Sequence, residues 1–196
     1  MPQEKAISEQ RLIAGVDEAG RGSLAGPVIA AAVILDPDSD PITGLDDSKR
    51  LSPKHRRYVA EVIFAHALAW SIGRAEASEV DRLNVLQASL LAMRRALSGL
   101  PLSPDWVRVD GDRLPMDVFG EAVVRGDALF PEIMAASILA KVMRDRELAM
   151  LDLLYPGYDF DRHKGYPTAR HRLHLETNGS CSVHRVTFAP VVRIST

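Results

Sequence analysis

Leu12-Ile-Ala-Gly-Val-Asp-Glu-Ala-Gly-Arg-Gly-Ser-Leu-Ala-Gly-Pro-Val-Ile-Ala-Ala-Ala-Val-Ile-Leu35 is the stretch on which the reading of the chain turns. Two apolar runs, Leu12–Asp17 and Val28–Leu35, each have the length of a buried strand. Between them Gly20-Arg-Gly-Ser-Leu-Ala-Gly-Pro27 is rich in turn-forming residues. The first run closes on two acids, Asp17 and Glu18. A buried strand that ends in adjacent carboxylates next to flexible backbone is the pattern everything else must explain.

Working outward, Pro37-Asp-Ser-Asp-Pro41 marks a loop, and Ser52-Pro53 is a good helix start, with Ser at the N-cap and Pro at the first helical position. That helix is expected to reach about Ala67, with Tyr58, Val62 and Ala65 or His66 at helical spacing. Ala69–Ala75 suggests a third strand. Ser78-Glu-Val-Asp81 opens a further helix with a capping-box-like pattern, expected to turn Leu83, Leu86, Leu90, Met93 and Leu97 inward. Trp106–Asp110 reads as a fourth strand and Glu121–Arg125 as a fifth, followed by Gly126-Asp127. A long helix runs from about Pro131 to Leu154, where Pro156-Gly157 stops it, and Thr168–Asn178 reads as a last helix with Gly179 just past its end. Three strands followed by alternating helix and strand predict a mixed α/β sheet with helices on both faces. Ala135-Ala-Ser137 suits close packing of the long helix on that sheet.

The 196 residues and their 46% apolar content fit one domain with a substantial core. The longest clear apolar run, Val28–Leu35, is far short of the roughly 20 residues that span a bilayer. Met1-Pro-Gln-Glu-Lys-Ala6 lacks the order of a signal peptide, and Cys181 stands alone, so a cytoplasmic location is expected. The net charge of −2 does not advertise a nucleic-acid binder. Lys49, Arg50, Lys54, Arg56 and Arg57 nevertheless form one basic run. Arg162, His163, Lys164, Arg170, His171 and Arg172 form another. Charge alone favours solvated faces for both, although carboxylates elsewhere could offset two local basic patches.

The chemistry is carried by the acids. Three expected strands end in aspartate, at Asp17, Asp110 and Asp127, and Glu18 follows the first. Ligands of open α/β sheets sit beyond the carboxyl ends of parallel strands, so parallel neighbours would bring four carboxylates together. Such a group repels itself unless a cation neutralises it, and an all-oxygen set without His or Cys favours Mg²⁺ or Mn²⁺. A single Asp at a strand end more often caps a helix or forms a turn. Three of them with an Asp-Glu pair favour a shared site. Signalling receiver domains also gather strand-end acids around Mg²⁺, but they are shorter and alternate strand and helix regularly. Gly20-Arg-Gly22, beside the acidic pair, would let backbone amides approach a bound ligand.

Val16-Asp-Glu-Ala-Gly-Arg-Gly-Ser-Leu-Ala-Gly-Pro-Val28 resembles the opening signature of the ribonuclease HII family. Further matches follow in order: Asp47-Ser-Lys49 with Leu51-Ser52, Val109-Asp-Gly111, Gly126-Asp127, Ala135–Val142 with Arg144-Asp145, and His163-Lys-Gly-Tyr-Pro-Thr168. The similarity runs from about residue 13 to residue 192. It implies a ribonuclease H-like fold, a mixed five-stranded sheet whose first strand pairs in parallel with the fourth. It places a catalytic core at about 12–155 and a substrate-contacting helical extension at about 156–196 within one domain, 1–196. It further implies an endoribonuclease acting on RNA–DNA hybrids and on duplex DNA that contains ribonucleotides. Cutting would fall 5′ of a ribonucleotide, leaving a 3′-hydroxyl and a 5′-phosphate. By resemblance Asp17, Glu18, Asp110 and Asp127 hold two divalent ions, Mg²⁺ or Mn²⁺. Gly20, Arg21 and Gly22 contact the 2′-hydroxyl, Tyr166 stacks on the following sugar, and Lys49 lies near the nucleic-acid backbone.

Lys141 and Arg144 could face phosphates or be structural. His163 and His171 suit phosphate contact better than metal ligation. Ser23 and Asp112 depart from the family's usual residues. Asp112 lies past the strand end, so Asp110 is preferred as the ligand. A transposase or junction resolvase would share the fold without needing a 2′-hydroxyl sensor. A monomer is expected, and Val191–Thr196 shows no clear clamp-binding peptide.

Overall fold

The structure is a computed structural model, and it describes residues 11–194. Residues 1–10 and 195–196 of the expected 1–196 span, with the end of the C-terminal peptide, lie outside the described residues. Five strands form one sheet: β1 (Ile13–Ala19), β2 (Val28–Ile34), β3 (Ala69–Ala75), β4 (Trp106–Asp110) and β5 (Gly120–Val123). Their order is β3-β2-β1-β4-β5, as expected of a mixed sheet. β1 runs antiparallel to β2 and parallel to β4, and β4 runs parallel to β5. The carboxyl ends of β1, β4 and β5 therefore point the same way.

Strand alternation divides the core between two faces. Ala14, Val16, Val107 and Val109 pack with Ala88, Ala92 and Ala96 of α3 (Val85–Ser98). On the other face Ala31 and Val33 pack with α1 (Pro53–His66) and α4 (Pro131–Leu154). The long helix lies close because β1 carries glycine there. A Cβ on Gly15 would collide with the backbone of Glu132 and Ile133. α4 starts and stops where the sequence indicates, as does α6 (Ala169–Asn178), capped by the Thr168 hydroxyl.

One expectation fails in the helices. The single helix expected from Ser78 is two, α2 (Ala77–Leu83) and α3, broken at Asn84 (φ 67°). The Asn84 side chain caps α3 by accepting from the Leu86 and Gln87 amides, and the capping box of α2 uses Glu76 and Glu79 rather than Ser78. Met93 is buried with Ala88, Ser89, Ala92 and Ala96, Leu90 and Leu97 pack inward against that core as expected, and Leu83 and Leu86 are only partly covered. In α1 the buried face is Arg56, Val59, Ala60 and Ile63. Tyr58 is 64% exposed and, with Val62 and His66, lines a surface groove.

The chain closes with α5 (Phe160–His163), α6 and α7 (Val191–Ile194), which the preceding loops hold against the glycine-rich turn. Leu24 N–H donates to Gly165 O at 2.8 Å, and Arg185 N–H donates to Leu24 O at 2.8 Å. Among the described residues no helix is long and apolar enough to cross a membrane.

Candidate active site

Asp17 sits on β1 two residues before its end, and Asp110 is the last residue of β4. Both project from the sheet face that α4 covers. Asp127 is not at a strand end as expected. β5 stops at Val123, and Asp127 lies in a one-turn 3-10 helix, Gly126–Ala128, entered through left-handed Arg125 (φ 59°). Its amide donates to Asp110 Oδ1 at 3.3 Å, so Asp110 fixes the turn that presents Asp127. One carboxylate oxygen from each of Asp17, Asp110 and Asp127 lies within 4.8 Å of the others. Asp112 is exposed in the turn beyond β4, outside this group.

Glu18 falls outside that trio. Adjacent strand residues face opposite sides, so its side chain leaves the other face of β1. It meets Arg21, whose guanidinium donates to Oε1 at 3.2 Å, and its Oε2 is buried with no hydrogen-bond partner among the described residues. The electrostatics follow from burial. Asp17 is 5% exposed, and burial, then the charges of Glu18 and Asp110, push its carboxyl well above the usual range. Burial also raises Glu18, and burial with the Asp127 charge raises Asp110. The Lys49 ammonium contacts Asp127 Oδ2 at 3.0 Å.

These residues fit a hard divalent cation. The donors are carboxylate oxygens, Glu18 Oε2 is buried with nothing among the described residues to accept from, and burial and like charge raise the pKa values of Asp17, Glu18 and Asp110. Asp17, Asp110 and Asp127 would hold such an ion, with Glu18 beside them.

Gly20-Arg-Gly22 borders the trio. Gly20 has φ 100° and no room for a Cβ against the Arg144 side chain, whereas nothing lies within 4 Å of the position a Gly22 Cβ would take. Tyr166 is 38% exposed on the turn that holds the glycine segment. Its ring lies 5.9 Å from the Lys141 ammonium and 5.6 Å from the Arg144 guanidinium. One sequence model, described as Ribonuclease HII, matches residues 14–191.

The chain belongs to the ribonuclease HII family.

It is 58% identical to a ribonuclease HII of Methylococcus capsulatus over 181 residues, covering 92% of this chain and 93% of that one. It is 55% identical to a ribonuclease HII of Dechloromonas aromatica over 183 residues, covering 93% of each. The crystal structure of the ribonuclease H2 from Pyrococcus horikoshii OT3 superposes with a TM-score of 0.75 at 26% identity, covering 93% of this chain and 96% of that one. The fold is ribonuclease H-like, and the chain is a metal-dependent ribonuclease, a hydrolase acting on RNA–DNA hybrids.

Around this candidate site the ribonuclease HII chain uses residues that the sequence left unassigned. Arg144 is fully buried and faces no phosphate. It donates to the carbonyls of Pro27 (3.2 Å), Ala25 (3.2 Å) and Lys164 (2.9 Å). Arg185, equally buried, donates to Gly26 O and Arg21 O. Burial drives the Arg185 pKa down to about 9. The two guanidinia thus fasten the glycine-rich segment from below. Nothing local in the sequence marks Arg185, whose partners lie some 160 positions away.

His163 and His171 are buried too, which removes the phosphate role considered for them. His163 Nε2 reaches Tyr158 O and its Nδ1 accepts from Gly165 N–H. His171 Nδ1 reaches Tyr166 O at 3.0 Å, and a carbonyl only accepts, so that nitrogen carries the proton. In the neutral ring its Nε2 then accepts from His184 Nε2 at 3.1 Å, and His184 Nδ1 accepts from Cys181 N–H. Ser137 is the other omission. Its hydroxyl lies beside the Asp17 carboxylate and 2.9 Å from Ser48 Oγ. A lone hydroxyl in the small-residue run of α4 was the available signal. Of the first basic run, Arg56 is buried and holds Ser48 O at 2.7 Å.

Proposed function

We propose that the chain incises the strand containing a ribonucleotide on its 5′ side, leaving a 3′-hydroxyl and a 5′-phosphate, and that one ribonucleotide embedded in duplex DNA suffices. Asp17, Asp110 and Asp127, with Glu18, are the ligands for two divalent ions, Mg²⁺ or Mn²⁺. When bound, such ions supply charge neutralisation at the scissile phosphate and its leaving oxygen. The chain's own residues orient the substrate. Backbone groups of Gly20, Arg21 and Gly22 meet the 2′-hydroxyl, the one feature that distinguishes RNA from DNA at a single nucleotide. Tyr166 offers its half-exposed face to the next sugar, and Lys49 a charge to the backbone. This activity would remove misincorporated ribonucleotides and primers.

The observation that carries the reading is adjacency. The glycine segment begins three residues after Asp17, and the Tyr166 turn is hydrogen-bonded to it through Leu24 N–H and Gly165 O. A sugar-reading surface with no link to the acids would support only general nuclease chemistry.

The test is a labelled DNA duplex carrying one ribonucleotide, incubated with the protein and Mg²⁺ or Mn²⁺. A nick 5′ of the ribonucleotide with the all-DNA control intact is expected. Equal cutting of both duplexes, or cutting on the 3′ side, would contradict the reading.

A further inference from the structure

Lys49 is held in an unusual way. Its backbone is fixed and its side chain is largely exposed. Ser48, 4% exposed, is pinned through its hydroxyl to Ser137 and through its carbonyl to Arg56. The Lys49 amide donates to Asp47 Oδ1 at 2.9 Å. The side chain itself is 78% exposed, yet its ammonium rests 3.0 Å from the oxygen of Asp127, an acid whose own side chain is only 8% exposed. Among the described residues, the salt bridges to the three clustered aspartates number just this one. A solvated lysine on a tethered stem has been recruited by a buried carboxylate group that otherwise lacks a counter-charge.

From this geometry we infer that Lys49 is the site's resident counterion, neutralising Asp127 while no divalent cation is bound and leaving it when one arrives. Ammonium and a divalent cation on the same carboxylate repel each other, so the ion pair and the ion compete for Asp127. The fixed base at Ser48 and the four-carbon stem leave the head free to swing. The displaced charge then becomes available to a phosphate on the substrate strand. Lys49 would thus oppose the cation before substrate binds and assist the substrate afterwards. The inference rests on the reading of Asp127 as a metal ligand.

Mn²⁺ binding is measured by titration calorimetry without nucleic acid, at fixed pH and ionic strength, on the intact protein and on Lys49→Met, Lys49→Arg and Asp127→Asn. Lys49→Met should bind Mn²⁺ about three- to fivefold more tightly, the scale of one exposed ion pair. Lys49→Arg should stay near the parent value, and the thermal midpoint of Lys49→Met should rise more on Mn²⁺ addition than the parent's does. Equal or weaker Mn²⁺ binding by Lys49→Met would overturn the counterion role while leaving the metal site in place. Unchanged Mn²⁺ binding by Asp127→Asn would instead remove the metal reading itself.

Discussion

Two regions of this molecule bury charge, and they do so in opposite ways. The acidic corner formed by β1, β4 and the Gly126–Ala128 turn gathers like charges and leaves Glu18 Oε2 unpartnered. The lobe built from α5, α6 and the segment around Arg185, packed on α4, buries the guanidinia of Arg144 and Arg185 with no carboxylate among the described residues in contact. Backbone carbonyls nevertheless serve both of them. A buried charge whose hydrogen bonds are filled by backbone holds a shape. A buried charge left without partners keeps a place for something else. Exposure and residue type alone would not have separated them.

The comparison can be broken most decisively at the acids. Asp17→Asn, Asp110→Asn and Asp127→Asn should each lower ribonuclease activity by orders of magnitude. Stability, read by urea unfolding, should stay level or rise, since each change relieves repulsion. Near-normal turnover in any of the three would show that carboxylate to be misassigned.

The opposite signature is expected in the lobe. Arg144→Met strands the buried carbonyls of Pro27 and Ala25, and at about 1–3 kcal/mol for each unsatisfied group the loss should be about 2–6 kcal/mol. Urea unfolding of the variant measures it, and a loss under about 1 kcal/mol would show that the carbonyls find other partners.

Acid should distinguish the regions by the sign of its effect. His171 and His184 are held neutral, with pKa values lowered by burial to about 4 from an ordinary 6.5. The unfolded chain therefore binds protons first. Their stabilisation is complete above about pH 6.5 and is lost as pH falls toward 4. Asp17 works the other way. Its raised pKa favours the folded state at low pH, and that contribution fades as pH rises through the folded value. A urea midpoint that drops between pH 6.5 and 4, and drops less in His171→Gln, is the expected outcome. An unchanged slope in that variant would exclude the histidine chain.

The smallest effect belongs to Tyr166, the meeting point of the regions. Tyr166→Ala should lower preference for a lone ribonucleotide about tenfold, within the roughly 1–3 kcal/mol of a nucleic-acid stacking contact. Its partly exposed ring predicts little change in unfolding. Unchanged preference on the single-ribonucleotide duplex would rule the role out.

Asp17 and Asp110 were legible in the sequence because they sit where strand periodicity ends, and the parallel pairing of β1 with β4 that sets them side by side was implied by the family resemblance. Asp127 was legible as a residue but not as an element, since a left-handed Arg125 and a 3-10 turn leave no apolar pattern. The buried face of α1 was not legible from spacing, because a buried arginine counts as polar in any hydropathy pattern, though Arg56 packs its stem inward. The break at Asn84 was readable in principle, as Asn is a strong N-cap and a weak helix interior. Arg185 and His184 were not readable at all. Their partners are backbone atoms of the glycine-rich turn and ring nitrogens on α6, which only the fold brings near.

The most direct measurement is anomalous scattering from crystals of the protein soaked in Mn²⁺. A peak in contact with carboxylate oxygens of Asp17, Asp110 and Asp127 is expected, with the Lys49 ammonium moved off Asp127. No peak there, or a peak only at other residues, would contradict it.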